Sequence, residues 1–407
     1  MENSPREPKS SQDSPRWPDK RALRSSPERW QANRDSEKSY LPLSPPPTLK
    51  KEYSKEKLPA VANVPKPKKL LPALQQCTSR TRKPRLQYRP ALNSVFDLEL
   101  YISGARHSPH CSEMNARFLR YALQYSKRTV VIAGAGVSTD AGIPDFRSAD
   151  GLFSKLKSPG LSSGKDLFDF NVVYSDAAMN LKFNSMITQL HAQCQEVKPT
   201  RFHRLLNSIA QEGRLRRLYT QNIDGLEDQT SHLQSKTPLE LPFPTTIQLH
   251  GSIKHMACNK CSKIYHFDPL IFKCQDDRTD VELVPSCPQC TEFEAVRAVA
   301  GMRSQGIGKL RPRVVLYNEI HPEGESIGSV VLKDLKGKPD CLIIVGTTLK
   351  IPGVRTMCKQ FARKVHDSRG IVIWINNEPP AKTLEEFVEC IDLVVIGDCQ
   401  NVSEILE

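Results

Sequence analysis

Four cysteines carry the most explicit chemistry in the chain. CNKC and CPQC place Cys258, Cys261, Cys287 and Cys290 as two Cys-x-x-Cys pairs with 25 residues between them. Each pair presents two thiolates from one tight turn, and two such turns close a tetrahedral Zn²⁺ site that leaves no position open for a substrate. A redox dithiol would need only one pair. Cys274, inside the gap, has no partner pattern and reads as a bystander thiol.

A second set of polar residues follows apolar runs. GAG (Gly134, Ala135, Gly136) comes directly after RTVVIA, and two glycines at a strand exit let backbone approach a pyrophosphate. The G-x-G-x-x-G fingerprint of hydride-transferring enzymes fails, because its sixth position is Thr139. Pro144 is then followed by Asp145, Phe146 and Arg147. A carboxylate, an aromatic ring and a guanidinium on a Pro-fixed loop suit a ribose that must be shielded from water and a phosphate that must be held. YTQNIDGLE ends a strand with Gln221, Asn222, Ile223 and Asp224. Its amides suit a carboxamide or sugar hydroxyls, although a turn-forming Asn-Ile-Asp would also explain them. His250 in QLHGS fits a general base by its near-neutral pKa, or an ordinary hydrogen-bonding histidine. GTTLK (Gly346, Thr347, Thr348) and INNE (Asn376, Asn377, Glu378) read as ribose and adenine contacts, and the backbone at Cys399 as a lid on the adenine pocket.

These residues need elements to bring them together. TVVIA, LRRLYTQN, TTIQLHG, PRVVLYNE, CLIIVGTTL, GIVIWINNE and LVVIGD are short apolar runs, most of them separated by helix-length amphipathic stretches such as TRFHRLLNSIAQEG and VRTMCKQFARKVHD. Continuous apolar strands alternating with helices predict a mainly parallel sheet covered on both faces, a Rossmann-like doubly wound α/β fold. Ligands in such sheets sit beyond the C-terminal strand ends, where each of these motifs begins. VFDLELYISGA and MNARFLRYALQYSKR have helical spacing. The cysteine pairs define a small zinc-binding insert over about residues 252–300 of a catalytic domain spanning 91–407.

Charge separates the rest. Residues 1–90 hold 21 Lys+Arg against 9 Asp+Glu, whereas 91–407 hold 37 against 36, so nearly all of the formal charge of +13 is N-terminal. That segment is rich in proline and poor in long apolar side chains, which predicts a disordered tail. PKPKKLL (Lys66, Lys68, Lys69) and SRTRKPRLQYR (Arg80, Arg82, Lys83, Arg85) suit nuclear import or contact with DNA, and equally a solvated linker. Ser4, Ser14, Ser26 and Ser44 each precede a proline, which would allow phosphorylation to place negative charge in the tail. No apolar run approaches a membrane span and no secretory signal is evident, so a chain free of membrane and inside the cell is expected, with cysteines as thiols and metal ligands.

Taken together and in this order, GAGVSTDAGIPDFR, TQNID, HGS, the two cysteine pairs, GTTL and INNE resemble the sirtuin family of NAD-dependent protein deacylases over roughly residues 115–400. HLQSKTPLELPFP and VVLYNE are similar to its fungal nuclear branch, which deacetylates histones and serves chromatin silencing. The resemblance implies that His250 is the catalytic base and that Asn222 and Asp224 hold the nicotinamide ribose and carboxamide region. It places Ala135, Gly136, Asp145, Phe146 and Arg147 on the cofactor loop, and Gly346, Thr347, Asn376 and Cys399 at the adenosine end. Val315 and Leu316 would flank an acyl-lysine tunnel. The implied reaction releases nicotinamide and moves the acetyl group to ADP-ribose, with one structural zinc. Thr348 stands where many members have Ser, and Asn318 where they have Gly. The rival expectations are a dehydrogenase or ADP-ribosyltransferase using NAD, and a chromatin-binding module without catalysis. PDFR and the zinc pairs speak against the dehydrogenase.

Overall fold

The computed structural model describes residues 84–104, 109–145, 151, 164–175, 177–272 and 284–406. Phe146, Arg147, Cys274, the four Ser-Pro sites and the tail up to residue 83 lie outside these.

Seven strands form the main sheet: β1 (Ser94–Asp97), β2 (Thr129–Ala133), β3 (Leu215–Thr220), β4 (Thr246–Gln248), β8 (Cys341–Val345), β9 (Ile371–Asn376) and β10 (Leu393–Ile396). Their order is β1-β10-β9-β8-β2-β3-β4, and each neighbouring pair is parallel. A second sheet, antiparallel in the order β6-β5-β7, contains β5 (Gly251–Cys258), β6 (Ile264–His266) and β7 (Leu310–Val314). The longer helices are α1 (Pro109–Tyr125), α2 (Ala177–Glu196), α3 (Arg201–Gln211), α4 (Pro288–Val299), α5 (Gly324–Lys336) and α6 (Pro352–Asp367).

Strand alternation makes the large sheet two-faced. Ile343, Val345, Ile373 and Ile375 point to one side, against Phe118 and Leu119 of α1 and Phe202 and Leu206 of α3. Leu342, Ile344, Val372 and Trp374 point to the other, against Val330 of α5 and Val354 and Phe361 of α6. Both faces are buried, which is why these strands read as unbroken apolar runs. A third cluster joins Phe183 and Ile187 of α2 to Ile253, Met256 and Leu310 of the antiparallel sheet.

Two segments differ from the sequence reading. VFDLELYISGA does not form one helix: Ser94–Asp97 pairs with β10, and Asp97 then accepts from the Leu100 amide as the N-cap of a short helix over Leu98–Ile102. The edge of a parallel sheet recruits these residues, and tertiary pairing overrides their helical spacing. PRVVLYNE is not a strand of the parallel sheet either. Its first part, in β7, pairs antiparallel with β5, so the second sheet takes in Leu310–Val314.

Contacts of the described residues 84–90 with the sheet are also present. Arg89 donates to the Asp392 carboxylate at 2.7 Å and to Gly370 O at 2.8 Å. Tyr88 and Leu86 pack on the core around β1 and α1. No helix among the described residues is long and apolar enough to cross a membrane.

Candidate active site

The chain runs β2, β3, β4 toward one edge of the main sheet and β8, β9, β10 toward the other, so its order reverses between β2 and β8. A crevice opens beyond the C-terminal strand ends at such a reversal. The loops leaving β2 and β8 touch there: Gly134 N donates to Val345 O at 3.0 Å, and Gly136 N to Gly346 O at 2.9 Å. A Cβ on Gly136 would lie 2.7 Å from Gly346 Cα, and one on Gly134 would lie 2.6 Å from Thr347 Cβ. Gly346 itself has φ +59°. The glycines are therefore required by the approach of two backbones, in addition to any ligand.

A cavity of about 960 Å³ occupies this crevice, at the upper end of the usual range for ligand sites. Gly134, Ala135, Gly136 and Asp145 line it from the β2 side, and Gln221, Asn222 and Ile223 from the end of β3. His250 enters from the turn between β4 and β5, and Val315 and Leu316 from just past β7. Gly346, Thr347, Thr348, Asn376, Asn377 and Glu378 complete the wall at the ends of β8 and β9. Two expected residues stand behind the lining. Asp224 is buried and accepts from the Leu226 amide at 3.0 Å, and Cys399 is buried with its thiol donating to Gly136 O at 3.7 Å. Cys399 thus underpins the GAG turn.

Hydrogen bonds fix the polar wall. Gln221 Nε2 donates to Thr347 Oγ1 at 2.9 Å, tying β3 to β8 across the β2 end. Asn222 Nδ2 donates to Ser138 Oγ at 3.1 Å, while its Oδ1 is buried with no hydrogen-bond partner. An orphaned amide oxygen on a cavity wall is costly unless a ligand donor meets it. The carboxamide NH₂ of nicotinamide is such a donor, so the residues present fit NAD. His250 Nδ1 lies 3.0 Å from Gln221 O. A carbonyl only accepts, so Nδ1 carries the proton and Nε2 the lone pair.

The small module supports the other rim. His250 O accepts from Val315 N at 3.0 Å, and Tyr317 N donates to Phe168 O at 2.7 Å. The Glu319 carboxylate pairs with Arg311 and accepts from the Leu316 amide at 2.9 Å. Asn318 has φ +62°, the left-handed backbone that glycine would adopt most easily and that Asn tolerates best among the others. Its side chain donates to Asp169 Oδ2 at 2.6 Å.

Sequence reading missed His321, which lines the same cavity. Its Nδ1 accepts from the Glu323 amide at 2.9 Å. Burial holds its pKa down to about 4, with Glu323 opposing and Arg313 and His250 adding to the depression. The imidazole is neutral at physiological pH, so it places no positive charge beside His250. Only its position two residues after Glu319 marked it in the sequence, and that is no chemical signal.

In the small module, Cys258 Sγ is 3.7 Å from Cys290 Sγ, and Cys261 Sγ is 3.7 Å from Cys287 Sγ; all four lie within 4.8 Å of one another. Zn–S bonds of about 2.3 Å in a tetrahedron separate sulfurs by about 3.8 Å, so the four thiols fit zinc. The amides of Lys260 and Cys261 donate to Cys258 Sγ at 3.3 and 3.4 Å, the turn that places a thiolate beside main-chain donors.

The Sir2 family model matches residues 134–353. The chain is 54% identical over 375 residues to the NAD-dependent histone deacetylase HST4 of Saccharomyces cerevisiae, an alignment covering 91% of this chain and all of that one. It is 49% identical over 283 residues to the NAD-dependent protein deacetylase hst4 of Schizosaccharomyces pombe, covering 69% of this chain and 66% of that one. The fold of a Sir2 homolog–NAD complex superimposes with a TM-score of 0.52 at 20% identity, over 71% of this chain and 92% of the other. The parallel sheet with its reversal over a polar crevice, the four-thiol cluster and these matches agree, and the chain belongs to the Sir2 family.

Proposed function

We propose that this chain is an NAD-dependent protein lysine deacetylase that acts on acetylated histones in the nucleus. The similarity to HST4 along nearly the whole chain supports the activity and the substrate class. The single observation that carries the chemistry is the 3.0 Å contact of His250 Nδ1 with Gln221 O, at a cavity shared by the GAG turn and the segment Val315–Leu316.

Bound NAD would supply an electrophilic ribose carbon with nicotinamide as the leaving group. Asn222, with Oδ1 unpartnered and Nδ2 anchored, would orient the carboxamide, and Asp224 would stiffen the turn behind it. The backbone of the GAG turn and Gly346 would lie against the phosphates, Thr347, Asn376 and Glu378 would face the adenosine, and Val315 with Leu316 the substrate backbone. His250 Nε2 would accept a proton from a ribose hydroxyl, the step for which a lone pair and a near-neutral basicity are needed. The four cysteines would hold one zinc that serves only to fold the small module.

Incubation with NAD⁺ and an acetylated core-histone peptide should release nicotinamide and shorten the peptide mass by one acetyl group, without NADH absorbance. Release of nicotinamide that does not depend on the acetyl-lysine, or formation of NADH, would sink this reading. The basic segment before residue 84 would direct import or touch DNA. A chain lacking residues 1–83 that stays nuclear and keeps its DNA affinity would reduce that segment to a linker.

A further inference from the structure

Glu227 is an acid for which the reaction above has no task. It sits in the single helical turn Leu226–Gln229, three residues past Asp224, and is 1% exposed. Neither carboxyl oxygen makes a hydrogen bond of ordinary geometry, although the Thr220 hydroxyl and the loop's own main chain lie close enough to favour the charged form somewhat. Asn222 Oδ1, on the same loop, and His203 Nε2, on α3, are likewise buried without such a bond.

The charges around it are all accounted for. Asp224 and Asp228 are acids of the same turn. His203 is held neutral by burial, against the pull of Asp224, and its Nδ1 accepts from the Thr200 amide at 3.3 Å. Cys194 of α2 is a thiol whose ionisation is opposed by burial and by Asp224. Lys254 of β5 donates to Gly225 O at 2.7 Å and to Asp228 Oδ2 at 3.3 Å. Among these neighbours, then, the cation is engaged with Asp228 and the acids outnumber it. An ionised Glu227 would be a further buried anion without a partner, which costs several kcal/mol. Protonated, the same carboxyl leaves no charge to be paired.

We infer that Glu227 is a neutral acid packed into the turn that carries Asn222 and Asp224, and is thereby a positioning residue for the cofactor's carboxamide. The role rests on the deacetylase reading given above. Burial first, and the Asp224 charge second, push the Glu227 pKa up to about 8, so the neutral form is lost as the medium becomes alkaline. Because the folded-state pKa lies above the unfolded value, stability should decline as pH climbs from the ordinary carboxylate range toward 8.

The test uses the full chain and the variants E227Q and E227A. Infrared spectra of protein carrying ¹³C-labelled glutamate should show a protonated-carboxyl C=O band at pH 7 that is absent from E227Q. E227Q, which stays neutral, should retain kcat/KM for NAD at pH 7 within about threefold and flatten the alkaline fall, while E227A should raise KM for NAD about tenfold. Melting curves should show the wild type losing stability from pH 5 to pH 8 relative to E227Q. Absence of the infrared band, or an alkaline limb in E227Q equal to the wild type's, overturns the inference. If E227A does not fold, the spectra and the E227Q profile decide alone. A wild type without deacetylase activity would instead sink the functional reading and leave the band and the melting slope to judge Glu227.

Discussion

His250 Nδ1 and the main-chain oxygen of Gln221 stand 3.0 Å apart, joining the turn after β4 to the turn after β3. This contact fixes both the ring orientation and the proton position of the imidazole, through a carbonyl that cannot itself titrate. With Nε2 as the base, His250→Ala should lower kcat by about 10²–10⁴ while NAD affinity changes little. Stopped-time nicotinamide release together with calorimetric NAD binding separates the two. Unchanged turnover in the alanine variant would remove His250 from the reaction.

Gly136→Ala should damage the fold before any ligand binds, because its Cβ would lie 2.7 Å from Gly346 Cα and both groups belong to backbone. A loss of about 1–3 kcal/mol is expected from such overpacking, with weaker NAD binding as the two loops part. Chemical denaturation and a binding isotherm on the same preparation report both effects. Gly142→Ala gives a contrast: open space surrounds its would-be Cβ, but φ is +83°, so only backbone strain is paid.

The four-thiol cluster predicts one zinc per chain by elemental analysis. Chelation, or the double variant Cys287→Ser with Cys290→Ser, should unfold the module built on β5, β6 and β7. Since Val315 N and Tyr317 N hang from that module's edge, activity should vanish along with the metal although none of these four cysteines lines the cavity. Metal loss with full activity would contradict a structural role.

Asp392 anchors the N-terminal strap. Burial alone would raise its pKa, but hydrogen bonds from His366 and the Val372 amide and the charge of Arg89 together hold it below the usual carboxylate value. Its contribution is therefore present above the unfolded-state pKa near 4 and is lost as pH falls through the lower folded value. Asp392→Asn should cost about 3 kcal/mol at neutral pH and flatten the acid limb of a melting curve. Removing residues 1–83 should leave stability unchanged, whereas removing 1–93 takes away Arg89 and should lower it.

Most of the candidate site was legible because each piece is a local event: a strand exit, a Gly turn, a pair of thiols on one turn. The motifs GAG, TQNID, HGS, GTTL and INNE each name residues that the structure collects around one cavity, Asp224 and Cys399 standing just behind it. Phe146 and Arg147 remain a sequence expectation outside the described residues.

By itself, the sequence determined strand and helix identity for the long apolar and amphipathic runs, the pairing of the cysteines at metal spacing and the order of the motifs, since these depend on period and spacing along the chain. Only the tertiary structure decided the rest. Whether Ser94–Asp97 is strand or helix depends on β10, nearly 300 residues away. Whether PRVVLYNE joins the large sheet or the small one depends on β5. The placement of His321 on the cavity wall and the isolation of Glu227 among acids also come from long-range packing, which brings together side chains whose individual types carry no sign of one another.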